Sequence, residues 1–552
     1  MLRKVHLNLK HVNVACGIFL MLAALSVICI RFVALSNNLI FSDEGWYLCL
    51  LRDLPHQGVT RFHLLFQNVF NNNIYAIRVT CLILQIIASA FMSFGMALWA
   101  HGYYPSIKTW CLFILLFCAL SLMQGVEECP SFNYINLNKV CVEFSVGFLF
   151  IGLAKQKSWC FLAVGFLISF LLPIMITNAV LIPALLVVIL LLSKNRKRDA
   201  MLFCGGIALF VVYYMLFVES PKEIIAFIVS ETESMVGRGG SEYGAGFMLT
   251  WLKQTILYLT KLFVIAVLLY GVYWSLLIRK IIRCKKNTAI VFFGIIASVL
   301  LFYLWKYLPP DLPKGGMGDL FWIFLFFMLF VSYLGNEELK LDEVVLTVFL
   351  TLTPAMLSFG SIVPFNIRGQ AYIVFIIPLM VFYSIRKGNK WKMLLMSFLA
   401  FSYVLFLISL PRANWHGEKL FDNQVSVKTI GIEQNVKLSE RYIEELKECR
   451  NRIPKGELLC DFENWGAVSL LDYTPVSYEY DVSRNTDIVF KRIVDESVKG
   501  ERGLWAIARK WNKPFLNKLN SLDGYEIKMD SVKSNDNYYI YITNLKSIEG
   551  VN

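Results

Sequence analysis

Long apolar runs separated by short polar segments make up most of residues 1–411. The first run covers about residues 12–35, and a later one extends from Ile74 to Ala100. A transmembrane helix needs about 20 mainly apolar residues, and on this measure the runs predict about 13 transmembrane helices. The pattern therefore indicates a polytopic α-helical membrane protein.

One apolar stretch, residues 158–193, is interrupted from within. Pro173 and the pair Thr177–Asn178 break the run, and Lys and Arg flank it on both sides. Cationic flanks are typical of cytoplasmic loops, and a proline ends or kinks a helix. We therefore predict two short helices that meet near Pro173, with both flanks in the cytoplasm.

The mixed stretch between the first two runs predicts helices at the membrane surface. Phe62, Leu65, Phe66 and Val69 recur at helical spacing, with polar residues between them. An amphipathic helix of this kind lies in the membrane interface. We therefore predict interfacial helices within residues 43–72.

The composition changes after residue 411, and residues 412–552 have the pattern of a soluble domain. Leu438–Arg452 has helical periodicity and is followed by a proline and a glycine, which end helices. Leu458–Cys460 and Tyr538–Ile542 have the composition of strands. We predict a small C-terminal α/β domain.

Composition and charge agree with a membrane protein. Of the 552 residues, 57% are hydrophobic and 17% are charged, and the formal net charge is +13. Soluble domains have about 25% charged residues. The cations cluster between apolar runs, as in cytoplasmic loops, so no nucleic-acid partner is expected.

Arg3, Lys4 and Lys10 predict a cytoplasmic N-terminus, and the span count then places residues 412–552 on the exterior. In a bacterium this is the periplasmic side of the cell inner membrane.

The cysteines predict neither a disulfide framework nor a metal site. Most of the thirteen lie in apolar runs, where cysteine acts as a small hydrophobe. Cys449 and Cys460 form the one pairing that we would test. No His, Cys and Asp cluster has the spacing of metal ligands.

Two adjacent carboxylates, Asp43 and Glu44, follow the first apolar run directly. Carboxylates at the rim of a membrane helix are costly to desolvate, which favours a function. Acids also favour the N-terminus of a helix, so the pair can simply cap one. Position alone leaves both interpretations open.

Several cations fall in segments that we assign to the exterior side. Such groups can bind a phosphate through charge-assisted hydrogen bonds, or they can extend to lipid headgroups. Arg78 lies inside an apolar run, where a charge requires a partner. The candidate phosphate-binding residues are Arg61, Arg78, Lys306 and Arg368, followed by His63 and Lys314.

Two motifs carry a resemblance to a known family. Ser42–Tyr47 and Pro130–Tyr134, together with the overall layout, resemble the GT-C class of polyprenyl-phosphate-sugar-dependent glycosyltransferases. This class includes the protein O-mannosyltransferases, the aminoarabinose transferases and bacterial polysaccharide-modifying enzymes. The resemblance suggests a second acid in the exterior loop at about residues 125–139, which Glu127 or Glu128 can supply. The chain differs from the family at Thr177–Asn178, because bacterial members often have a lysine near this helix break.

The resemblance implies transfer of a sugar from a polyprenyl (undecaprenyl) phosphate to a glycan, lipid or lipopolysaccharide such as O-antigen. The chemistry also fits the residues themselves. The phosphate leaves without a proton, so the enzyme needs a base for the acceptor hydroxyl and cations for the phosphate. Asp43 is the candidate base in one inverting displacement, and Glu44 is the alternative base or a ligand for acceptor hydroxyls. No cofactor is expected.

Aromatic and amide side chains near these motifs are candidates for a sugar or acceptor pocket. Aromatic rings can stack on sugar faces, or they can belong to the aromatic belt at the membrane interface. The candidate pocket residues are Trp46, Tyr47, Asn133, Tyr134 and Tyr372.

Two other functions remain open on the sequence. A transporter or flippase of lipid-linked sugars predicts ionisable residues buried in the middle of the membrane and paired helix breaks. An O-antigen polymerase or ligase predicts a large exterior loop between spans.

Overall fold

The computed structural model describes the chain in a series of segments. They are residues 21–37, 43–53, 61–66, 69–101, 131–226, 245–278, 341–359, 368–376, 424–454, 457–461, 463–476, 504–531 and 536–544, with the single positions 18, 114, 118, 122, 229 and 403.

The chain is mostly helical, with a small sheet region near the C-terminus. Before residue 377 the α-helices are α1 (Met21–Ala34), α2 (Asp43–Asp53), α3 (Ile74–His101), α4 (Tyr134–Lys155), α5 (Trp159–Ile168), α6 (Leu171–Ile174), α7 (Leu181–Leu192), α8 (Arg196–Phe217), α9 (Ala245–Ile278) and α10 (Leu341–Ser358). Short 3-10 helices cover Phe62–Phe66, Ile176–Val180 and Gly369–Ile376.

Three of the described helices, α3, α4 and α8, are long and apolar enough to cross a membrane. Membrane association is therefore supported by both length and composition. The total of about 13 spans is not confirmed, because the spans expected within residues 279–340 and after residue 376 lie outside the described segments.

Helices α3 and α4 form a closely packed pair. A Cβ atom on Gly95 would collide with the carbonyl oxygen of Gly147, so the two backbones touch at this crossing. Small residues permit such close approach between membrane helices. The pair forms the scaffold on which α2 is held.

The interrupted stretch at residues 158–193 folds into two helical arms, as predicted. The arms Trp159–Ile174 and Ile176–Leu192 meet at Met175, whose backbone is extended, with φ −161° and ψ 102°. Pro173 lies in the last turn of the first arm. Its carbonyl oxygen accepts a hydrogen bond of 3.0 Å from the backbone nitrogen of Arg61. The tip of the hairpin therefore lies against the segment that follows α2.

The segment at residues 43–72 differs from the predicted surface helices. Its second part is the five-residue 3-10 helix Phe62–Phe66, and a turn follows with Asn71 and Asn72 in left-handed conformations. Phe62 is fully buried, whereas Val69 is 61% exposed, so the expected apolar residues do not share one face. Helix α2 is buried from Glu44 to Leu51.

The C-terminal region contains the predicted small α/β fold. Its five-stranded sheet has the order β4-β3-β5-β7-β6, in which β3 pairs parallel to β4 and β5, while β7 pairs antiparallel to β5 and β6. Separately, β1 and β2 form an antiparallel pair. The elements are β1 (Gln424–Ser426), β2 (Lys437–Ser439), α11 (Glu440–Arg452), β3 (Glu457–Cys460), α12 (Trp465–Leu470), β4 (Thr474–Pro475), β5 (Leu504–Arg509), α13 (Lys513–Asn520), β6 (Tyr525–Ser531) and β7 (Asn537–Asn544), with a 3-10 helix at Val427–Ile430.

The possible disulfide between Cys449 and Cys460 is absent. Both residues are buried free thiols in the core of the C-terminal region. Burial raises the pKa of the Cys449 thiol to about 12, so the thiolate needed for exchange is disfavoured. Both side chains act as small hydrophobes.

The C-terminal region packs directly on α2. A Cβ atom on Gly45 would collide with the backbone nitrogen of Gly466 in α12. At the other end of α2, Arg52 donates hydrogen bonds of 2.7 Å to the carbonyl oxygen of Tyr473 and 3.1 Å to Asp472. These contacts fix α2 between α3 and the C-terminal sheet.

Candidate active site

Helix α2 places both candidate acids in its first turn. This is where the positive end of the helix dipole stabilises carboxylates, as the capping interpretation predicts. The two side chains nevertheless have different environments, because neighbouring helical residues project about 100° apart. Asp43 is exposed, and Glu44 is fully buried.

Glu44 is held by Arg78, which is also fully buried. Arg78 donates from Nε to Oε1 at 2.8 Å and from Nη2 to Oε2 at 2.7 Å. Ser131 donates a further short hydrogen bond to Oε1. Arg78 also donates from Nη1 to the carbonyl oxygen of Leu35 at 2.7 Å. Arg78 therefore has the partner that its place in an apolar run requires. We assign this pair to holding α2, instead of the roles as base and phosphate binder expected for Glu44 and Arg78.

Arg61 and His63 are buried in the segment after α2. Arg61 donates from Nε to Glu219 at 2.8 Å and forms a second, shorter contact with the same carboxylate. Tyr214 donates to Glu219 at 3.2 Å. The ring of His63 packs edge-on against Phe62. In this arrangement Arg61 joins the segment to the end of α8.

An aromatic and cationic cluster lies beside the first turn of α2. Tyr47 follows Asp43 by four residues and therefore lies on the same helical face. The ring centroids of Tyr47 and Tyr134 are 6.5 Å apart. The guanidinium carbon of Arg368 lies 5.1 Å from the centroid of Tyr134, within the range of a cation–π contact. The structure thus brings together four residues that were separate candidates in the sequence: Asp43, Tyr47, Tyr134 and Arg368.

The other predicted pocket residues are buried around this cluster. Trp46 and Tyr47 are only 6% and 5% exposed, in a core shared with the C-terminal region. They therefore do not form an aromatic belt facing lipid. Asn133 caps α4 by accepting a hydrogen bond of 2.7 Å from the backbone nitrogen of Asn136. Tyr372 is fully buried in the 3-10 helix Gly369–Ile376.

Four of the predicted site residues lie outside the described segments. They are Glu127, Glu128, Lys306 and Lys314. Within the described segments, no group of three or more His, Cys, Asp and Glu side chains is placed to hold a metal ion.

A buried carboxylate supports α12 where it meets α2. Asp461 follows β3 and accepts hydrogen bonds of 2.6 Å from the backbone nitrogen of Arg509 and 2.6 Å from the side chain of Asn464. Burial raises the pKa of the Asp461 carboxyl to about 6. The residue joins β5 to the turn that precedes α12, so its role is structural.

Two ionisable residues inside α4, Lys139 and Glu143, were not among the candidates from the sequence. The cap at Asn133 starts this helix earlier than expected, so Lys139 lies in the helix and not in a loop. Lys139 and Glu143 are both buried, and Ser89 of α3 donates a hydrogen bond of 2.8 Å to Glu143. The sequence contained a signal for Glu143, because an acid within an apolar span is rare and usually functional.

No protein-family model matches the chain, and no curated protein matches it. The resemblance to the GT-C class therefore remains a prediction from the motifs and the layout.

Proposed function

We propose that this protein is an integral membrane glycosyltransferase. It transfers a sugar from a polyprenyl phosphate, such as undecaprenyl phosphate, to a glycan, lipid or lipopolysaccharide acceptor on the exterior face. One observation carries the proposal: an exposed carboxylate, Asp43, lies one helical turn from Tyr47, which neighbours Tyr134 beneath Arg368. A base, rings and a cation are the groups that this transfer requires.

The reaction is a single inverting displacement. The acceptor hydroxyl oxygen attacks the anomeric carbon, the bond from that carbon to the phosphate oxygen breaks, and the hydroxyl proton passes to Asp43. The phosphate leaves as an anion and needs no proton. A positioned base contributes roughly 10²–10⁴-fold to such a step. Arg368 stabilises the charge that develops on the phosphate.

The different environments of the two acids support Asp43 as the base. A general base must reach the substrate proton, and an exposed carboxylate meets this condition. Glu44 has both oxygens engaged by Arg78 and Ser131. Glu44 instead fixes the helix that carries Asp43.

Complementation of a deletion strain tests the proposal. Asp43→Asn is expected to abolish the surface glycan product and to leave unconsumed polyprenyl-phosphate sugar, while the protein level stays normal. Asp43→Glu keeps a carboxylate and is expected to retain partial transfer. Glycan mass and lipid-linked sugar are measured together. Normal transfer by Asp43→Asn at a normal protein level would remove the assignment.

A second candidate function is transport of the lipid-linked sugar across the membrane. It is favoured by Glu143, which is fully buried within a helix that is long enough to span a membrane, because such residues mark transport pathways. If this function is right, Glu143→Gln leaves lipid-linked sugar on the inner leaflet, while Asp43→Asn has little effect. The glycosyltransferase predicts that the lipid remains accessible on the outer leaflet in both variants.

A further inference from the structure

Asn138 is a fully buried side chain in α4 whose amide has no hydrogen-bond partner among the described residues. Neither its oxygen nor its nitrogen is paired in the described part of the structure. Native proteins pair almost all buried polar groups, and an exception needs an explanation. Asn136, two residues earlier in the same helix, is satisfied, because its side chain donates 3.1 Å to the carbonyl oxygen of Ser131. The unpaired state of Asn138 is therefore not a general property of the amides in this part of α4.

The position of Asn138 relates it to the candidate active site. It follows Tyr134 by four residues, so both lie on one face of α4, with Asn138 one turn further along the helix. Arg368 lies over the ring of Tyr134. The 3-10 helix that begins after Arg368 contacts α4. Asn138 thus lies one helical turn from Tyr134, the residue whose ring neighbours both Tyr47 and Arg368.

The hairpin tip carries a second amide of the same kind. Asn178, in the 3-10 helix Ile176–Val180, is fully buried, and within the described segments neither its amide atoms nor the Thr177 hydroxyl has a partner. Helix α6, which precedes this 3-10 helix, contacts α4. Unpaired neutral polar groups therefore occur on α4 and on the short 3-10 helix that follows a helix in contact with α4.

We propose that Asn138 hydrogen-bonds the sugar of the lipid-linked donor, and that this sugar is uncharged. The inference rests on the proposed function. A carboxamide offers donors and an acceptor, which match hydroxyl groups that can act as both. A charged sugar buried at this position would need an opposite charge, and Asn138 is neutral. The buried ionisable residues beside it in α4 are Lys139 and Glu143, of which Glu143 already accepts a hydrogen bond from Ser89. The unpaired state is then explained as a site that is satisfied only by substrate.

The stability of two matched variants separates a substrate-binding amide from a structural one. Asn138→Leu removes an unsatisfied group and is expected to raise the thermal midpoint of the full chain in detergent. Asn136→Leu removes a satisfied group from the same helix and is expected to lower it. A fall in the midpoint for Asn138→Leu similar to that for Asn136→Leu would show that the amide has a protein partner, and would overturn the proposal.

The second measurement is the binding of lipid-linked sugars to the wild type and to the Asn138 variants. The probes are undecaprenyl-phosphate glucose, undecaprenyl-phosphate aminoarabinose and undecaprenyl phosphate without a sugar. The wild type is expected to prefer the glucose lipid to the bare lipid, and Asn138→Leu is expected to reduce this preference about tenfold. Asn138→Ala serves for the same measurement if the leucine variant does not fold.

The outcomes distinguish this inference from the proposed function. If the wild type prefers the glucose lipid and the Asn138 variants keep that preference, Asn138 does not bind the sugar. If the wild type prefers the aminoarabinose lipid, the inference that the donor sugar is uncharged is overturned. If the wild type shows no preference for a sugar-bearing lipid and Asn138→Leu is not more stable, the inference fails. If Asp43→Asn also leaves the surface glycan unchanged, the proposed function fails with it.

Discussion

Arg78 holds Glu44 through two parallel hydrogen bonds of 2.8 and 2.7 Å, and neither side chain is accessible to solvent. The pair joins α3 to the first turn of α2. Because Asp43 precedes Glu44 directly, the same contact sets the direction in which the exposed carboxylate points. The adjacent acids thus have separate roles, one in holding the helix and one in the proposed chemistry.

Removing one member of this pair is expected to destabilise the protein strongly. Arg78→Gln leaves the Glu44 carboxylate buried without its charged partner, which costs about 3–5 kcal/mol. The double variant Glu44→Leu/Arg78→Leu removes both charges and is expected to recover most of that loss. Thermal unfolding of the full chain in detergent measures both. The single variants Glu44→Leu and Arg78→Leu are measured alongside. If the double variant is as unstable as the sum of these two, the pair is not coupled as the distances indicate.

Gly45 is expected to tolerate no side chain. Gly45→Ala places a methyl group against the backbone of Gly466, so α2 and α12 must separate and both stability and transfer should fall. Gly205→Ala, in α8, is the matched control because no atom of the residues that the structure describes lies within 4 Å of its Cβ position. Replacing glycine by alanine within a helix stabilises by up to about 1 kcal/mol. Equal behaviour of the two variants in thermal unfolding would contradict the close contact.

Arg368 and Arg61 are expected to respond differently in donor binding. Arg368→Gln should weaken binding of undecaprenyl phosphate by roughly 10–100-fold, the value of one charge-assisted hydrogen bond. Arg61→Gln should mainly lower stability, because it leaves Glu219 without its partner. The double variant Arg61→Gln/Glu219→Gln is the control, and it should bind the lipid normally. Weak binding by this double variant, at a recovered thermal midpoint, would restore Arg61 as a phosphate-binding residue.

Asp461 is expected to make the stability of the protein depend on pH. Its pKa is about 6 in the folded chain, against an ordinary value of 3.8, because it is buried. The folded chain therefore binds the proton of the Asp461 carboxyl more tightly than the unfolded chain does. The resulting stabilisation is complete below about pH 4 and is lost as the pH rises through 6. Lowering the pH from 7.5 to 5 should add about 1 kcal/mol through this group.

The control for this effect is Asp461→Asn, which does not titrate. Thermal midpoints of the wild type and the variant are compared at pH 5 and pH 7.5. The wild type should gain more stability on acidification than the variant does. Parallel pH profiles would show that Asp461 does not titrate in this range.

Local patterns in the sequence were sufficient for several elements. The apolar run Ile74–Ala100 is a helix over that whole range. The breaks near Pro173 divide residues 158–193 into two arms, and the strand predicted at Leu458–Cys460 is β3, which begins one residue earlier. Each depends on length, hydrophobicity or a helix-breaking residue, which act over a few neighbouring positions.

The sequence by itself therefore determined the apolar helix at Ile74–Ala100, the two arms within residues 158–193 and the C-terminal α/β composition. Only the tertiary structure decided that Glu44 is buried while Asp43 is exposed, that Arg78 pairs with Glu44, and that Gly45 meets Gly466. These contacts join residues far apart in the chain, so their geometry depends on how whole helices pack. A hydrophobic pattern specifies which face of a helix is buried, but not which distant side chain it will meet.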